Sequence, residues 1–388
     1  MILKKKILLF GPIGDFGGRD IEVNIIGNAI CDQYDVAIFS SIYITDNSSA
    51  VTGLKNVGFN SFEKEIYKTN LILRGLSLFF YLKNRKNKLA YAYVKNVISS
   101  LFFDFEKARK KILLNQIQEA DAIIACVQLT SMYLKEAIEI AHELNKPFLV
   151  RTTGTINEFE VNSFQFLKKA TCFIHHSESN ADNLNKQIPL PYIIIDQCAQ
   201  FEQKLLALPI NECNIVYGYL GRLSEEKGIL ELLSFFNKTN HVKLLIAGDG
   251  PLKSEVLLAV NQLENIEYLG QSLPEDLDIF FKKIDILIIP SNEESGPLVG
   301  LEAMASAKVI LSTKVGAMEE RLSPTLNNFW FDNTNEQSFL DNLSQLKNLN
   351  KETYNQIAKS NRERYLDEYQ FTSIKNKYNG CLTKYLNL

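Results

Sequence analysis

Histidine and cysteine are scarce in this sequence and are not grouped as metal ligands usually are. The 388 residues include four histidines and six cysteines, and no two cysteines form a C-x-x-C pair. This spacing argues against a zinc site, and we expect no bound metal. The cysteines are expected to be reduced thiols of a cytoplasmic protein. The formal net charge is −3, so no overall positive charge predicts a nucleic-acid partner.

Long apolar runs are also absent. Near the start, the apolar run from Ile7 to Phe10 is ended by Gly11 and Pro12 and is too short for a secretory signal peptide. No stretch reaches the roughly 18 apolar residues of a membrane-spanning helix, so we expect no integral membrane protein. A hydrophobic content of 46% and a charged content of 22% are typical of a folded globular chain, and the length predicts two domains.

Short apolar or β-branched runs recur along the chain, and helical patterns follow them. This alternation predicts parallel sheets covered by helices on both faces, in two successive doubly wound α/β domains joined near residues 197–213. Ligands of such sheets bind at the carboxyl ends of the strands, so we expect the site in a cleft between the domains. The predicted strands lie within 6–10, 34–40, 121–127, 146–154, 171–175, 192–196, 214–221, 242–248, 266–270, 285–290 and 308–313.

The segment 55–111 departs from this alternation because it is basic and rich in aromatic residues. It contains thirteen Lys and Arg against four Asp and Glu, with aromatics such as Phe79, Tyr91 and Phe102 between them. Two interpretations stay open at this point. The segment is either a solvated helical insertion whose aromatics pack on the first sheet, or a surface that docks on an anionic leaflet. For the second, Lys83, Arg85, Lys86 and Lys88 would supply charge.

Two acidic residues flank a turn in the stretch SNEESGPLVGLEAMASAKVI (291–310). A loop holding Glu294 follows a predicted strand, and a helix is predicted to start with Pro297 as its first residue. The first amides of this helix can bind phosphate or hydroxyl oxygens. Glu302 lies beside Leu298 on the buried face, where its carboxylate needs a hydrogen-bonding partner, and a vicinal diol such as that of a ribose would fit. The alternative is a helix-terminal charge plus a surface acid.

Two further strand-end loops carry glycine and basic residues. Gly221 and Arg222 follow one predicted strand, and Lys227 precedes Gly228 at the next helix. A guanidinium and an ammonium from one loop suit a diphosphate, although Lys227 alone could be an ordinary surface residue. AGDGPL (247–252) places Gly250 in a third loop, where a ligand could approach the backbone.

Taken in order, these segments resemble glycosyltransferase family 4, whose members are retaining enzymes of GT-B fold. Glu294 and Glu302 occupy the two positions of its Glu-x7-Glu signature, and the likeness covers most of residues 214–320. The resemblance implies that Arg222 and Lys227 hold the donor diphosphate, that Glu294 holds the sugar hydroxyls, and that Glu302 holds the ribose; Arg222, Lys227 and Glu294 would be catalytic. The other donor-binding residues implied are Gly17, Gly18, Gly221, Gly250, Ser295, Gly296, Pro297 and Leu298.

The resemblance also implies an architecture and an activity. Two Rossmann-like domains would face each other across a cleft, an acceptor-binding domain at 1–200 and a nucleotide-sugar-binding domain at 201–365, and a helix at 366–388 would cross back to the first. A sugar would pass from a nucleotide-diphosphate sugar to an acceptor hydroxyl, with no cofactor and no obligatory metal. With the basic segment nearby, we expect a lipid-linked or growing saccharide of bacterial surface polysaccharide or lipopolysaccharide synthesis as acceptor, at the inner face of the plasma membrane.

One departure from the family concerns a histidine that many members carry in the first domain. The corresponding positions contain Gln128 and Arg151, either of which could take its place; His142 is expected on a helix surface, and His175 or His176 could face the cleft or be structural. A catalytically silent GT-B subunit that binds a nucleotide sugar or saccharide and supports a partner enzyme is therefore the alternative function, with a GT-B epimerase less favoured. Arg19 is expected to be a solvated turn residue or, alternatively, a phosphate ligand.

Overall fold

The computed structural model describes residues 4–55, 57–84, 87–210, 215–239 and 242–386. The chain divides into two compact units. Unit 1 comprises Met1–His175, Ala181–Ile195 and Lys375–Leu388, and unit 2 comprises His176–Asn180 and Asp196–Ile374.

Each unit is built on one parallel sheet. The sheet of unit 1 has seven strands in the order β3-β2-β1-β4-β5-β6-β7, and the sheet of unit 2 has five in the order β10-β9-β8-β11-β12. The strands are β1 (Lys6–Gly11), β2 (Asp35–Ser40), β3 (Gly58–Ser61), β4 (Ala122–Val127), β5 (Phe148–Thr152), β6 (Cys172–His175), β7 (Tyr192–Ile194), β8 (Val216–Leu220), β9 (Lys243–Ala247), β10 (Ile266–Tyr268), β11 (Ile286–Ile289) and β12 (Val309–Ser312).

Helices α1–α11 lie between the strands, and α12–α15 follow the last strand. They are α1 (Gly18–Ile30), α2 (Phe62–Thr69), α3 (Leu71–Lys83), α4 (Phe105–Glu119), α5 (Leu134–Glu143), α6 (Glu178–Asn185), α7 (Glu202–Leu206), α8 (Ile229–Phe236), α9 (Lys253–Gln262), α10 (Leu277–Lys283), α11 (Leu298–Ala305), α12 (Met318–Leu322), α13 (Glu336–Lys347), α14 (Lys351–Glu368) and α15 (Phe371–Leu386), with short 3-10 turns at Ala90–Tyr93, Ser99–Leu101, Val161–Lys169, Glu225–Lys227 and Pro274–Asp276.

Side-chain caps fix where several helices begin. The Asp104 side chain accepts a hydrogen bond from the Lys107 amide at the start of α4. Ser61 and Asn350 cap α2 and α14 in the same way. These residues satisfy amides that a helix start leaves unpaired, so the local sequence sets the boundary.

All eleven predicted strands are present, and the predicted α/β class with parallel sheets is confirmed. The strand predicted at 214–221 is β8, and its first residue lies outside the described residues, as do residues 211–213 of the predicted linker. The prediction missed β3, which lies inside the basic segment. Its sequence, GFNS, has one apolar residue, so only its pairing with β2 identifies it as a strand.

The last helix adds to unit 1. From Lys375 onward α15 belongs to that unit. Lys375 Nζ lies 2.5 Å from Asp32 Oδ2, and the Asn379 side-chain amide donates to the Ala29 carbonyl at 2.9 Å. These contacts hold α15 against the end of α1.

No helix within the described residues combines the length and the apolar character that crossing a bilayer requires.

Candidate active site

The central contact of unit 2 joins two loops at the carboxyl edge of its sheet. Lys227 Nζ, in the loop after β8, lies 2.5 Å from Glu294 Oε1, in the loop after β11. The Ser291 hydroxyl donates to the same carboxylate oxygen at 2.9 Å. The Lys227 and Glu294 side chains keep 26% and 14% of their exposure. The ion pair is therefore oriented by the protein and still reachable from solvent.

Arg222 lies on the same loop as Lys227 and is exposed. Among the described residues, its guanidinium forms no hydrogen bond or ion pair. Its carbonyl accepts a hydrogen bond from the Tyr219 hydroxyl at 2.7 Å, which ties the loop to the buried end of β8. The Ser224 hydroxyl lowers the pKa of Glu226, and the Arg222 and Lys227 charges add to this effect. The two predicted basic residues thus come from one loop, which also carries Glu225 and Glu226, and only the Arg222 guanidinium lacks a partner among the described residues.

Two glycines of these loops are needed for contacts within unit 2. A side chain on Gly228, which has a φ of +66°, would meet the Pro290 carbonyl oxygen at 1.8 Å. A side chain on Gly250 would meet the Leu223 carbonyl oxygen at 2.4 Å. Gly250 was predicted to let a ligand approach the backbone, and the structure shows that its bare Cα lets the loop after β8 approach. By contrast, a side chain on Gly221 would meet the Tyr219 hydroxyl oxygen at 3.3 Å, a far less severe contact.

A buried ion pair supports the loop that carries Glu294. The Arg321 guanidinium is fully buried and donates to both carboxylate oxygens of Asp196, at 2.7 and 2.8 Å. Its third nitrogen donates to the Pro297 carbonyl at 2.6 Å. Burial alone would raise the pKa of Asp196, but the Arg321 charge and hydrogen bonds, with His176, hold it below its usual range. Arg321 therefore couples a buried acid to the start of α11.

The same loop is held from two other sides. The Ser295 carbonyl accepts hydrogen bonds from the Asn180 side chain at 2.7 Å and from the Ala317 amide at 3.0 Å. A side chain on Gly296 would meet the Arg321 guanidinium at 3.0 Å and the His176 ring at 3.2 Å. The backbone at Ser295 and Gly296 is thus positioned by neighbours such as Asn180 and Arg321, which the sequence patterns do not single out.

Pro297 precedes the helix instead of starting it. The prediction placed Pro297 at the first helical position, whereas α11 begins at Leu298 and Pro297 is its N-cap. The extended ψ of 113° at Pro297 lets its carbonyl accept the bond from Arg321. The amides of Leu298 and Val299, in the first turn, have no acceptor within the helix and can bind an anionic oxygen.

Glu302 is a buried acid one turn further along α11. It is 6% exposed, and its carboxylate forms no hydrogen bond or ion pair with any described residue. Burial raises the pKa of Glu302 from its ordinary 4.5 to about 7. A buried carboxylate without a partner is costly to keep ionised, and a ligand with two hydroxyls would supply the missing donors.

The glycine-rich loop of unit 1 leads into α1. Gly17 and Gly18 are exposed there, and a side chain on Gly18 would meet no atom within 4 Å. Their assignment to the donor phosphates stays a prediction. The preferred interpretation of Arg19 as a solvated turn residue is wrong. The Arg19 guanidinium is half-buried and donates to Thr153 Oγ1 at 3.2 Å and to the Pro12 carbonyl at 3.1 Å, because it packs on the ends of β1 and β5.

Of the two residues that could take the place of the missing histidine, one is excluded by burial. Arg151 is fully buried, and its guanidinium pairs with Glu22 at 2.7 Å, so it cannot reach a ligand. Gln128 is exposed directly after β4 and is the remaining candidate. His142 is exposed on α5, as predicted. His175 is buried with Nδ1 2.9 Å from Thr152 Oγ1, and His176 is buried against Asp196.

No three His, Cys, Asp or Glu side chains come together as a metal-binding group among the residues that the structure describes.

Comparisons with known proteins find similarity to glycosyltransferases. Residues 201–364 match the protein family described as "Glycosyl transferases group 1". An uncharacterized glycosyltransferase of Methanocaldococcus jannaschii is 27% identical over 156 residues, which are 39% of this chain and 44% of that protein. The lipopolysaccharide 1,2-N-acetylglucosaminetransferase of Salmonella typhimurium strain LT2 is 34% identical over 129 residues, 29% of this chain and 34% of that protein.

Similarity to solved structures extends over the whole chain. The Anabaena protein Alr3699/HepE, solved with UDP and glucose, superposes with a TM-score of 0.68 and 14% identity and covers 98% of this chain and all of that one. This chain therefore has the GT-B fold, as predicted.

The comparisons agree on one class of protein, the glycosyltransferases. Residues 201–364, which lie within unit 2, match the glycosyl transferases group 1 family, and the relatives reported above are named as glycosyltransferases. The matches to the curated relatives above span less than half of each relative's own length.

Proposed function

We propose that the protein is a retaining glycosyltransferase of family 4 that moves a sugar from a nucleotide-diphosphate sugar to an acceptor hydroxyl. The observation that carries the proposal is the pairing of Lys227 with Glu294 at 2.5 Å, with Glu302 buried on the adjoining helix and bonded through its carboxylate to no described residue. The matched domain and the UDP and glucose bound by the Anabaena protein support a nucleotide sugar as donor.

The donor would lie along the loops of unit 2. Its diphosphate would take the exposed Arg222 guanidinium, the Lys227 ammonium and the first amides of α11, all of which carry positive charge or unpaired N–H groups. Its ribose hydroxyls would donate to Glu302. Glu294, already oriented by Ser291, would accept from the hydroxyls of the sugar.

Charge stabilisation would be the main catalytic contribution of these residues. As the bond between the anomeric carbon and the phosphate oxygen breaks, its electron pair moves to the diphosphate. Arg222 and Lys227 lie where this charge develops, so no obligatory metal and no cofactor are required by the proposal. The acceptor hydroxyl attacks from the leaving-group side, its oxygen bonds to the anomeric carbon, and its proton passes to the departing phosphate oxygen. This course keeps the anomeric configuration and needs no strongly basic side chain.

The acceptor we propose is a lipid-linked or growing saccharide in the synthesis of bacterial surface polysaccharide or lipopolysaccharide. One relative is a lipopolysaccharide N-acetylglucosaminetransferase, and another is a putative teichuronic acid biosynthesis glycosyltransferase. Such an acceptor is presented at the inner face of the plasma membrane, so the protein would be cytoplasmic and peripheral to that membrane.

Proton NMR of the purified protein with UDP-, GDP- and ADP-sugars tests the proposal. One donor should be consumed, slowly without acceptor and faster with a saccharide acceptor, and the new glycosidic bond should keep the anomeric configuration of the donor. An inverted product would refute the retaining mechanism. Donor binding without any turnover, with every acceptor tested, would favour a catalytically silent GT-B subunit.

A further inference from the structure

Helix α3 of unit 1 exposes apolar side chains where a surface helix normally carries polar ones. Leu71, Phe79 and Leu82 are 78%, 58% and 65% exposed, while Leu73 and Ser77 of the same helix are buried. In a folded soluble protein, large apolar side chains scattered singly on the surface are ordinary, but a continuous group of them marks an interaction site.

The exposed residues form one stripe along α3. At about 100° per residue, Leu71, Leu78 and Leu82 project within about 40° of one another, with Phe79 next to them. The buried Leu73 and Ser77 project to the opposite side. The outward face of this helix is therefore apolar along its whole length.

Basic residues border the stripe on both sides. By the same helical geometry, Arg74 lies on one side of it and Lys83 on the other. The surrounding sequence has no compensating charge, because residues 66–103 contain seven Lys and Arg and no Asp or Glu. Of the four basic residues predicted to bind a leaflet, Arg85 and Lys86 lie outside the described residues, and Lys83 and Lys88 are exposed.

A second group of exposed apolar residues follows in the same acid-free stretch. Val97 and Leu101 are 78% and 83% exposed, and Phe102 is 58% exposed. The segment is nevertheless part of the folded unit, since Leu73, Val94 and Phe105 pack together in a buried cluster. The exposed side chains are thus displayed by an ordered support.

We propose that this apolar-basic surface, defined as the outward face of α3, inserts into the interface of an anionic lipid bilayer. The apolar side chains would enter the boundary between headgroups and acyl chains, while Arg74 and Lys83 would meet lipid phosphates. The proposal deepens the membrane location proposed above by naming the inserted residues, and it does not depend on sugar transfer.

Charge complementarity favours a bilayer over a second copy of this chain. A two-fold interface would place the same surface on both subunits. Arg74 and Lys83 would then face another acid-free basic surface, and like charges at an interface oppose association. An anionic leaflet supplies both the negative charge and the apolar interior that this surface lacks.

Vesicle sedimentation of the full chain, without nucleotide sugar, tests the proposal. The wild type should sediment with phosphatidylglycerol vesicles and less with phosphatidylcholine vesicles. Phe79→Gln with Leu82→Gln should lower the partition coefficient for phosphatidylglycerol vesicles about tenfold or more, because two apolar side chains no longer leave water. Arg74→Gln with Lys83→Gln should reduce binding to the anionic vesicles selectively.

A matched control is available on α9 of unit 2, where Leu257 and Leu258 are 42% and 60% exposed. Leu257→Gln with Leu258→Gln should leave vesicle binding unchanged. The proposal is overturned if the Phe79→Gln, Leu82→Gln variant and the Arg74→Gln, Lys83→Gln variant both bind vesicles like the wild type. It is also overturned if the lipid-free protein sediments as a dimer that Phe79→Gln with Leu82→Gln dissociates, because a second copy would then cover the surface. Donor turnover by the α3 variant in solution reports separately on the proposed transferase activity.

Discussion

Arg321 and Asp196 form a two-point ion pair in the interior of unit 2, with nitrogen–oxygen distances of 2.7 and 2.8 Å. The same guanidinium donates to the Pro297 carbonyl, at the end of the loop that carries Glu294. Asp196, which precedes Arg321 by 125 positions in the chain, thus helps to hold the start of α11 through that guanidinium. Neither residue touches the ligand that we propose, so Arg321 is a positioning residue.

Replacing Arg321 tests this coupling. Arg321→Ala should lower the free energy of unfolding by about 3–5 kcal/mol, because it leaves the Asp196 carboxylate buried without its partner. Arg321→Lys keeps the charge but loses the planar, two-point hydrogen bonding. It should therefore be more stable than Arg321→Ala, but its KM for the donor should still exceed that of the wild type. Chemical denaturation and donor kinetics measure the two effects. Lys359→Ala, which removes a surface ion pair on α14, should change stability by less than about 1 kcal/mol. Normal donor KM in Arg321→Lys would show a purely structural role.

The burial of Glu302 gives a prediction about pH. The folded protein keeps this carboxyl protonated up to about pH 7, whereas its ordinary pKa is 4.5. Between these values the folded state binds more protons than the unfolded state, so the contribution of Glu302 to stability falls as the pH rises and is constant above this window. Relative to Glu302→Gln, the free energy of unfolding of the wild type should fall by up to about 3 kcal/mol between pH 4.5 and about pH 7.

Denaturation of both proteins at several pH values measures this difference. Parallel pH curves for wild type and Glu302→Gln would contradict the account of Glu302. Glu267→Gln, which changes an exposed acid on β10, should follow the wild type. The same Glu302→Gln variant should bind a nucleoside diphosphate more weakly, since a side-chain amide accepts hydrogen bonds from the ribose less well than a carboxylate.

Lys227 is predicted to contribute to turnover far more than to stability. Lys227→Ala should lower kcat/KM for the donor by about 100-fold or more, because a charge that stabilises the leaving diphosphate is lost. Its ion pair with Glu294 is partly exposed, so the free energy of unfolding should change by about 1 kcal/mol or less. Lys243→Ala is the control, since Lys243 on β9 pairs with Glu267 at 2.9 Å. Equal activity in Lys227→Ala and Lys243→Ala would contradict the proposed role of Lys227 in catalysis.

Gly316 should be unable to accept a side chain. It has a φ of +52°, and a Cβ there would lie 2.5 Å from the Ser295 carbonyl oxygen and 2.6 Å from that of Glu294. Gly316→Ala should therefore cost about 2–3 kcal/mol and impair turnover by displacing the Glu294 loop. Gly53→Ala is the control for backbone strain alone. Gly53 also has a positive φ, of +75°, but no atom lies within 4 Å of the added carbon. If Gly316→Ala is no worse than Gly53→Ala in thermal unfolding, the loop contact is unimportant.

The sequence predicts most of this fold because its strands are short, apolar and regularly spaced. It also locates Lys227 and Glu294, since glycine, charge and strand ends coincide in their loops. It misses β3, whose four residues carry little apolar signal, and places the start of α11 one residue early. Local patterns therefore identify eleven of the twelve strands, and they fail where a strand is short and mostly polar.

The supporting residues of the site could not be found in this way. Nothing near Asp196 or Arg321 in the sequence indicates that they pair, because only the folding of unit 2 brings them together. For the same reason Arg151, a candidate ligand by position, is fully buried with Glu22. The outward apolar face of α3 is likewise visible only once the buried side of the helix is known.

Thermal unfolding across UDP-, GDP- and ADP-sugars, with the wild type and Glu302→Ala side by side, tests the central claim that unit 2 binds a nucleotide sugar. One donor should raise the melting temperature of the wild type by about 5 °C or more at saturating concentration, and it should leave Glu302→Ala almost unchanged. A wild-type protein that no nucleotide sugar stabilises, or a variant stabilised as much as the wild type, would contradict the account.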